Sequence, residues 1–454
     1  MIQFLALGGA GEIGSSCFYL NIGGTGIILD CGMHPRKSIP EALPSLEMLQ
    51  EREVDFGIIS HAHQDHIGAL PYLVRKHPYI RLYSTPQTRA IAELTLHNSV
   101  SILSDKLNDT SFLKPYTHEE IDLLIQSINY KSYNEQFEVK GFRTNSSAPV
   151  NISFCDAGHI LGAAGILLEH KGQKIFYTGD INLDDQMLTP GAELPKGKID
   201  TLILECTYGN IDSAVLPTWE QEAKRLARNA NKVLEAGGSV LIPVFSLGKL
   251  QELLTTIWKM MERGVLTNTD IYTGGIGRKI NMVHDRNRYV VRRVDQEFEL
   301  AGIPYKDIYE VSNINTFRTN PSVVLAPSGM IIEGTLSFNL ALDWLKQDRF
   351  AIFIAGYMDP ETPGYTIASA KKGDKISLPN LINPVEIKCS IERYRFSSHA
   401  RRDGLLEIVK RLKPEKVILV HGDEEAIDWM GYNILKLNPK IKLHAAQKGK
   451  VIEL

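Results

Sequence analysis

The chain has 454 residues, 43% hydrophobic and 23% charged, with a formal net charge of −3, enough for two or three domains with cores of their own. That balance excludes a global basic field, so a polyanion would have to be met by a local patch or a metal. No run approaches the about 18 apolar residues that span a membrane.

The glycine-punctuated start, "MIQFLALGGAGEIGSSCFYLNIGG", lacks the regions of a signal peptide and reads as the first strand. Cys17, Cys31, Cys155, Cys206 and Cys389 are widely spaced and form no CxxC pair, which fits a reducing cytoplasm without disulfides or a thiolate zinc site. The runs "TGIILDCG", "DFGIISHAH", "IRLYST", "VNISFCDAGH", "QKIFYTGD" and "DTLILECTYG" read as buried strands ending in polar residues. This is an α/β pattern in which chemistry collects at strand ends. From about residue 208 the rhythm changes. "LPTWEQEAKRLARNANKVLEAGG" predicts a helix with a Gly-Gly stop, followed by the strand "SVLIPVF" and the helix "SLGKLQELLTTIWKMMERG". "DIYTGG", "SVVLAPSG", "FNLALDWLKQ" and "FAIFIAGY" continue this block to about residue 384, a separate inserted domain. "VEIKCSIERYRFSSHA", "GLLEIVKRLKP" and "EKVILVHGDEEA" then restore strands that end in histidine.

"SHAHQDHIGALPYL" places His61, His63, Asp65 and His66 within six positions just beyond an apolar strand. Zinc takes neutral imidazole and carboxylate ligands, and a catalytic site keeps one position for water. A tight loop can turn His61 and His63 toward one metal while Asp65 and His66 reach another. A lone buried histidine is more often a satisfied core residue; four ligand types in six positions favour metal. His159 in "DAGHILGAAG" has glycines that would let backbone approach the metals. Asp180 in "FYTGDIN" suits a bridging carboxylate, and His421 in "VILVHGDEE" again follows a β-branched strand.

"HAHQDH", "GHILG" and "TGD" together resemble the metallo-β-lactamase fold, and "LECTYG", "FSSHA" and "LVHGD" resemble its β-CASP branch, which processes nucleic acids. The resemblance covers nearly the whole chain. It implies an αββα sandwich from residues 1–207 and 385–454, an inserted α/β β-CASP cap at 208–384, and metals in the cleft between them. It assigns His61, His63 and His159 to one zinc, Asp65, His66 and His421 to a second, and Asp180 with a water or hydroxide to both. Asp30 would support the ligand loop, as outer-shell carboxylates do; the bland alternative is a strand-end turn. Glu205 and His399 match an acid and a histidine that the family pairs by hydrogen bond.

The implied chemistry is phosphodiester hydrolysis, with two zinc ions about 3.5–4 Å apart holding a hydroxide and lowering the pKa of water from about 15.7 to near 7. His399 would be the general acid for the 3′ oxygen, with Glu205 keeping it oriented and protonated. Products would be a 5′ phosphate and a 3′ hydroxyl. Histidine at position 421 matches the RNA-processing members, so RNA is the expected partner. Arg393, Arg395, Arg401 and Arg402, around Ser397 and Ser398 in "ERYRFSSHARRD", form a local basic cluster that could meet phosphates. "RNRYVVRR" (286–293) is a second basic stretch, whose simpler reading is the polar face of an amphipathic strand.

Three departures concern the RNA path through the cap. Gly334-Thr335-Leu336 follows "SGM" where relatives often have Gly-Gly-Pro, Tyr365 stands at a common arginine position, and Arg401-Arg402 replace an acidic residue. No further RNA-binding domain is expected at either end, so a homodimer surface would lie on the two domains themselves. A 5′ exonuclease, a small-ester or thioester hydrolase of the same fold and a non-catalytic RNA-processing scaffold remain as alternatives.

Overall fold

The computed structural model describes residues 2–106, 114–143, 147–311, 313–379 and 381–454. The chain divides into two compact units, one formed by Met1–Asp184, Gly191–Ser213 and His399–Leu454, the other by Asp185–Pro190 and Ala214–Ser398. Among the described residues no helix is long and apolar enough to cross a membrane.

The first unit holds two seven-stranded sheets. One runs in the order Val451–Glu453, Ile2–Gly8, Cys17–Ile22, Thr25–Leu29, Phe56–Ile58, Arg81–Ser84 and Ile128–Tyr130. It is antiparallel as far as Thr25–Leu29 and parallel beyond. The other runs Lys442–Ala445, Lys416–Val420, Thr201–Glu205, Gln173–Tyr177, Ala164–His170, Pro149–Asp156 and Phe137–Lys140. Strand alternation turns one face of each sheet inward. Phe4, Phe18, Ile27 and Phe56 of the first sheet share one buried core with Ile152, Phe154, Ile166, Ile203, Ile418 and Val420 of the second. The two sheets are thus a face-to-face sandwich. The helix Glu424–Leu437 lies on the outside of the second sheet, where a Cβ on its Gly431 would stand 3.0 Å from Leu443.

The second unit is built on six parallel strands in the order Tyr305–Asp307, Asp270–Thr273, Ser322–Ala326, Val240–Pro243, Ala351–Ile354 and Ser390–Arg393. Its four central strands are buried on both faces, as parallel sheets covered by helices require. Val240, Ile242, Val323, Leu325, Ala351 and Phe353 pack into one core with the helices Trp219–Glu235 and Lys249–Glu262. Their neighbours Leu241, Val324, Ala326, Ile352 and Ile354 pack into another with Phe338 and Trp344 of the helix Leu336–Trp344.

This unit runs on to Ser398. The reason is pairing: Ser390–Arg393 runs parallel to Ala351–Ile354, with Ile352 opposite Ile391. The basic stretch 286–293 is also not a strand. It is the end of the helix Ile276–Arg286 and a following turn, in which Arg288 pairs with Glu299 and Arg293 is buried with its Nη1 donating to the Phe298 carbonyl (2.8 Å).

Candidate metal centre

Strands that end on one edge of the first unit deliver the candidate residues. Asp30 follows Thr25–Leu29, Ser60 and His61 follow Phe56–Ile58, and His159 lies in the turn after Pro149–Asp156. Asp180 follows Gln173–Tyr177, Glu205 ends Thr201–Glu205, and His421 follows Lys416–Val420. His63 precedes the short helix Gln64–Ile67, which carries Asp65 and His66. That helix is stitched down by Ser16 N to Asp65 O (2.9 Å) and Cys31 N to His66 O (2.8 Å). Gly32 is required there, because a Cβ would sit 1.6 Å from the Asp65 carbonyl oxygen. At Gly158, expected to let backbone approach a metal, a Cβ would instead stand 2.5 Å from the backbone of Ala192 and Asn182. That glycine serves loop packing.

Two sets of donors converge. His61, His63, His159 and Asp180 form one, and Asp65, His66 and His421 the other. In the first, His63 Nδ1 lies 3.1 Å from His61 Nε2 and 3.1 Å from His159 Nε2. Asp180 divides its oxygens between the sets. Oδ2 is 3.5 Å from His61 Nε2 and 3.6 Å from His159 Nε2, while Oδ1 is 3.4 Å from His66 Nε2 and 3.3 Å from His421 Nδ1. His421 Nε2 is 3.3 Å from Asp65 Oδ2.

These donors fit a divalent cation. Tetrahedral bonds of about 2.0–2.1 Å put neighbouring donor atoms roughly 3.3 Å apart, close to the spacings found. All are imidazole nitrogens or carboxylate oxygens, which suit zinc and its first-row neighbours. Among the described residues, His66 Nε2 and Asp180 Oδ1 are buried without a hydrogen-bond partner, a costly state that a cation would relieve. Burial lowers the pKa of His61 and His63, for His61 with help from His66, and keeps both imidazoles neutral. Burial opposes ionisation of Asp65 and Asp180, but neighbouring histidines outweigh it and both carboxyls fall below their usual range, Asp65 through His66 and His421 and Asp180 chiefly through His421. Burial likewise opposes the charge on His66 and His421, yet Asp180 and Asp65 raise both. Positive charge, from protons or from a cation, is what this cluster lacks, so metal uptake would release protons.

Around this centre lies a buried hydrogen-bond network. Asp30 Oδ1 accepts from Ser60 N (2.7 Å), and its Oδ2 accepts from Ser60 Oγ (2.7 Å), Tyr177 OH (2.8 Å) and His66 Nδ1 (2.9 Å). Glu205 Oε1 accepts from Ile181 N (2.8 Å) and faces His399 Nδ1 at 3.2 Å, while Oε2 accepts from Thr207 N (3.1 Å). Thr207 Oγ1 lies 3.1 Å from His421 Nδ1. His399 Nδ1 is also 3.9 Å from Asp180 Oδ2, so it adjoins the metal-type donors. Sequence reasoning missed Ser60, Tyr177 and Thr207. Their only signal was a polar atom at a strand end beside a candidate ligand.

The arginine cluster is divided. Arg401 pairs with Asp184 (3.2 Å), and Arg402 pairs with Asp212 (2.6 Å) while lying 4.3 Å over the Trp429 ring. Acidic partners therefore offset the charge expected for phosphates at both. Arg393 and Arg395 are exposed, and among the described residues neither guanidinium meets a carboxylate; Arg393 stands 6.0 Å over the Tyr365 ring. Ser397 and Ser398 precede His399 as the last residues of the second unit.

Family models match in order along the chain. A metallo-beta-lactamase superfamily domain covers residues 19–203, a Beta-Casp domain 250–367 and a Zn-dependent metallo-hydrolase RNA specificity domain 384–436. The chain is 31% identical over 443 residues to cleavage and polyadenylation specificity factor 73 of Drosophila melanogaster, a match covering 93% of this chain and 60% of that protein. It is 29% identical to an RNase J-like protein of Methanocaldococcus jannaschii over 92% of this chain and 91% of that one. It is 26% identical to integrator complex subunit 11 of Danio rerio, covering 94% and 70%. The chain thus spans little more than half the length of the first curated relatives it matches. A crystal structure of a protein of unknown function from Enterococcus faecalis V583 shares the fold at 14% identity, with a TM-score of 0.57 over all of both chains. With two donor sets at the strand ends of a two-sheet sandwich and these three domains in sequence, the chain belongs to the β-CASP branch of the metallo-β-lactamase superfamily.

Proposed function

We propose that this protein is a zinc-dependent ribonuclease that cuts RNA internally, leaving a 5′ phosphate and a 3′ hydroxyl. One observation carries the reading: Asp180 offers one oxygen to each of two ligand-type sets, and the Glu205–His399 pair stands beside them. The names of the relatives, which include an RNase J-like protein and a cleavage factor, support RNA as the substrate.

In this reading His61, His63, His159 and Asp180 hold one zinc, and Asp65, His66, His421 and Asp180 the other. Bound there, the ions would supply Lewis acidity toward the phosphate and lower the pKa of water at the site. The chain's own residues do the rest. His399 Nδ1 donates to Glu205 Oε1, which fixes the ring and leaves Nε2 to deliver a proton to the departing 3′ oxygen. Glu205 is held for this by the Ile181 and Thr207 amides. Arg393 and Arg395 are proposed to meet RNA phosphates, with Ser397 and Ser398 between them and His399.

The test is cleavage of 5′-labelled and internally labelled RNA, and of single-stranded DNA of the same sequence, by protein of measured zinc content. We expect RNA to be cut at internal positions, DNA to be spared, and His399→Ala to lower the rate by about 10²–10⁴, the usual worth of general acid catalysis. Bound zinc with no cleavage of RNA would refute the nuclease reading. It would favour a small-ester hydrolase.

A further inference from the structure

We infer that Ser60 is a positioning residue that ties His61 of the first ligand set to Asp30, the buried carboxylate that also orients His66 of the second. The inference rests on the metal-site reading above. Asp30, as a carboxylate, only accepts hydrogen bonds, and Ser60 Oγ lies 2.7 Å from its Oδ2. The serine hydroxyl therefore donates to Asp30, and its lone pair faces His61 Nδ1 at 3.0 Å. That direction fixes His61 as the tautomer protonated at Nδ1. Its bare Nε2 then points at His63 Nδ1 (3.1 Å) and Asp180 Oδ2 (3.5 Å), the side on which a cation would bind.

The same Oδ2 accepts from His66 Nδ1 (2.9 Å), which turns His66 Nε2 toward Asp180 Oδ1 (3.4 Å). Asp30 thus orients a donor of the second set directly and a donor of the first set through the Ser60 hydroxyl. Tyr177 and the Ser60 amide hold the carboxylate in place. His61, His66, Asp30 and Ser60 are all buried, with at most 1% exposure, so no bulk water stands ready to replace the serine. Outer partners of this kind are worth about 10–100-fold in metal affinity.

The linkage makes an asymmetric prediction. Ser60→Ala removes only the path to His61, whereas Asp30→Asn disturbs both sets. The experiment is a calorimetric zinc titration of the full chain, stripped of metal, in two backgrounds that each leave one set whole. In His421→Ala, which keeps the first set, adding Ser60→Ala should weaken zinc binding by about 10–100-fold. In His159→Ala, which keeps the second, it should leave zinc affinity unchanged. Ser60→Cys, of similar volume but a weaker donor, should fall between serine and alanine and guards against a folding defect, read from the melting curve of the stripped protein. Equal losses in both backgrounds, or none in either, would overturn the Ser60 assignment. Wild-type protein that takes up no zinc at all would overturn the metal reading itself, a distinct result.

Discussion

Asp30 and His421 share a backbone trait unusual for residues with a side chain: φ is +57° at the first and +48° at the second. Each follows directly on a buried strand, and the left-handed turn aims its side chain into the centre. Such conformations cost of order 1–3 kcal/mol and persist where surrounding structure enforces them. A different buried histidine sets an acid dependence unrelated to metal. His284 has its pKa pushed down to about 3, first by burial and then by Arg293. The unfolded chain, with a histidine near 6.5, therefore binds the extra proton between about pH 6.5 and 3. Stability from this group is present above pH 6.5 and is lost as pH falls through that window, by up to about 1.4 kcal/mol per pH unit. Urea unfolding between pH 7 and 4 should show a shallower loss for His284→Gln than for wild type. At this scale the sequence made candidate donors legible through ligand density, as at His61 to His66, and through strand-end position, as at His159, Asp180 and His421. It did not reveal that Ser60 and Tyr177 converge on Asp30: Ser60 arrives from the neighbouring parallel strand of the same sheet and Tyr177 from the facing sheet, and neither pairing is written in local sequence. Nor did it show that Asp184 and Asp212 would engage Arg401 and Arg402.

Element by element, the strands before Asp30, His61, Asp180 and Glu205 were readable, since each is a short β-branched run closed by a polar residue. Ser390–Arg393 was not. Ile391 is its single apolar residue and says nothing of which sheet it joins; only pairing with Ala351–Ile354 places it. The helix Trp219–Glu235 was also legible, and its start has a mechanism. Thr218 accepts from the Gln221 amide (3.3 Å) while the Gln221 side chain accepts from the Thr218 amide (2.9 Å), a reciprocal cap. Replacing Thr218 by Ala should cost about 1 kcal/mol, read as a lower denaturation midpoint of the second unit.

On the scale of the whole molecule, every candidate zinc donor belongs to the first unit. An ion bound only by the folded state stabilises it by about 2.7 kcal/mol at a concentration 100 times its dissociation constant. Chelation should therefore lower the calorimetric transition of the first unit and leave that of the second in place; equal shifts in both would contradict the assignment. The order of residues along the chain carries a consequence for synthesis. All six strands of the second unit's sheet have been made once Arg393 has emerged from the ribosome. The first unit's second sheet still lacks Lys416–Val420, which pairs with Thr201–Glu205 and delivers His421. Domains generally fold as units during translation, so the inserted unit can close while its host is still an open sheet. The centre around Asp180 gains its last donor, His421, only after every strand of the inserted unit's sheet has been made, so the growing chain can hold a closed second unit before it holds both donor sets.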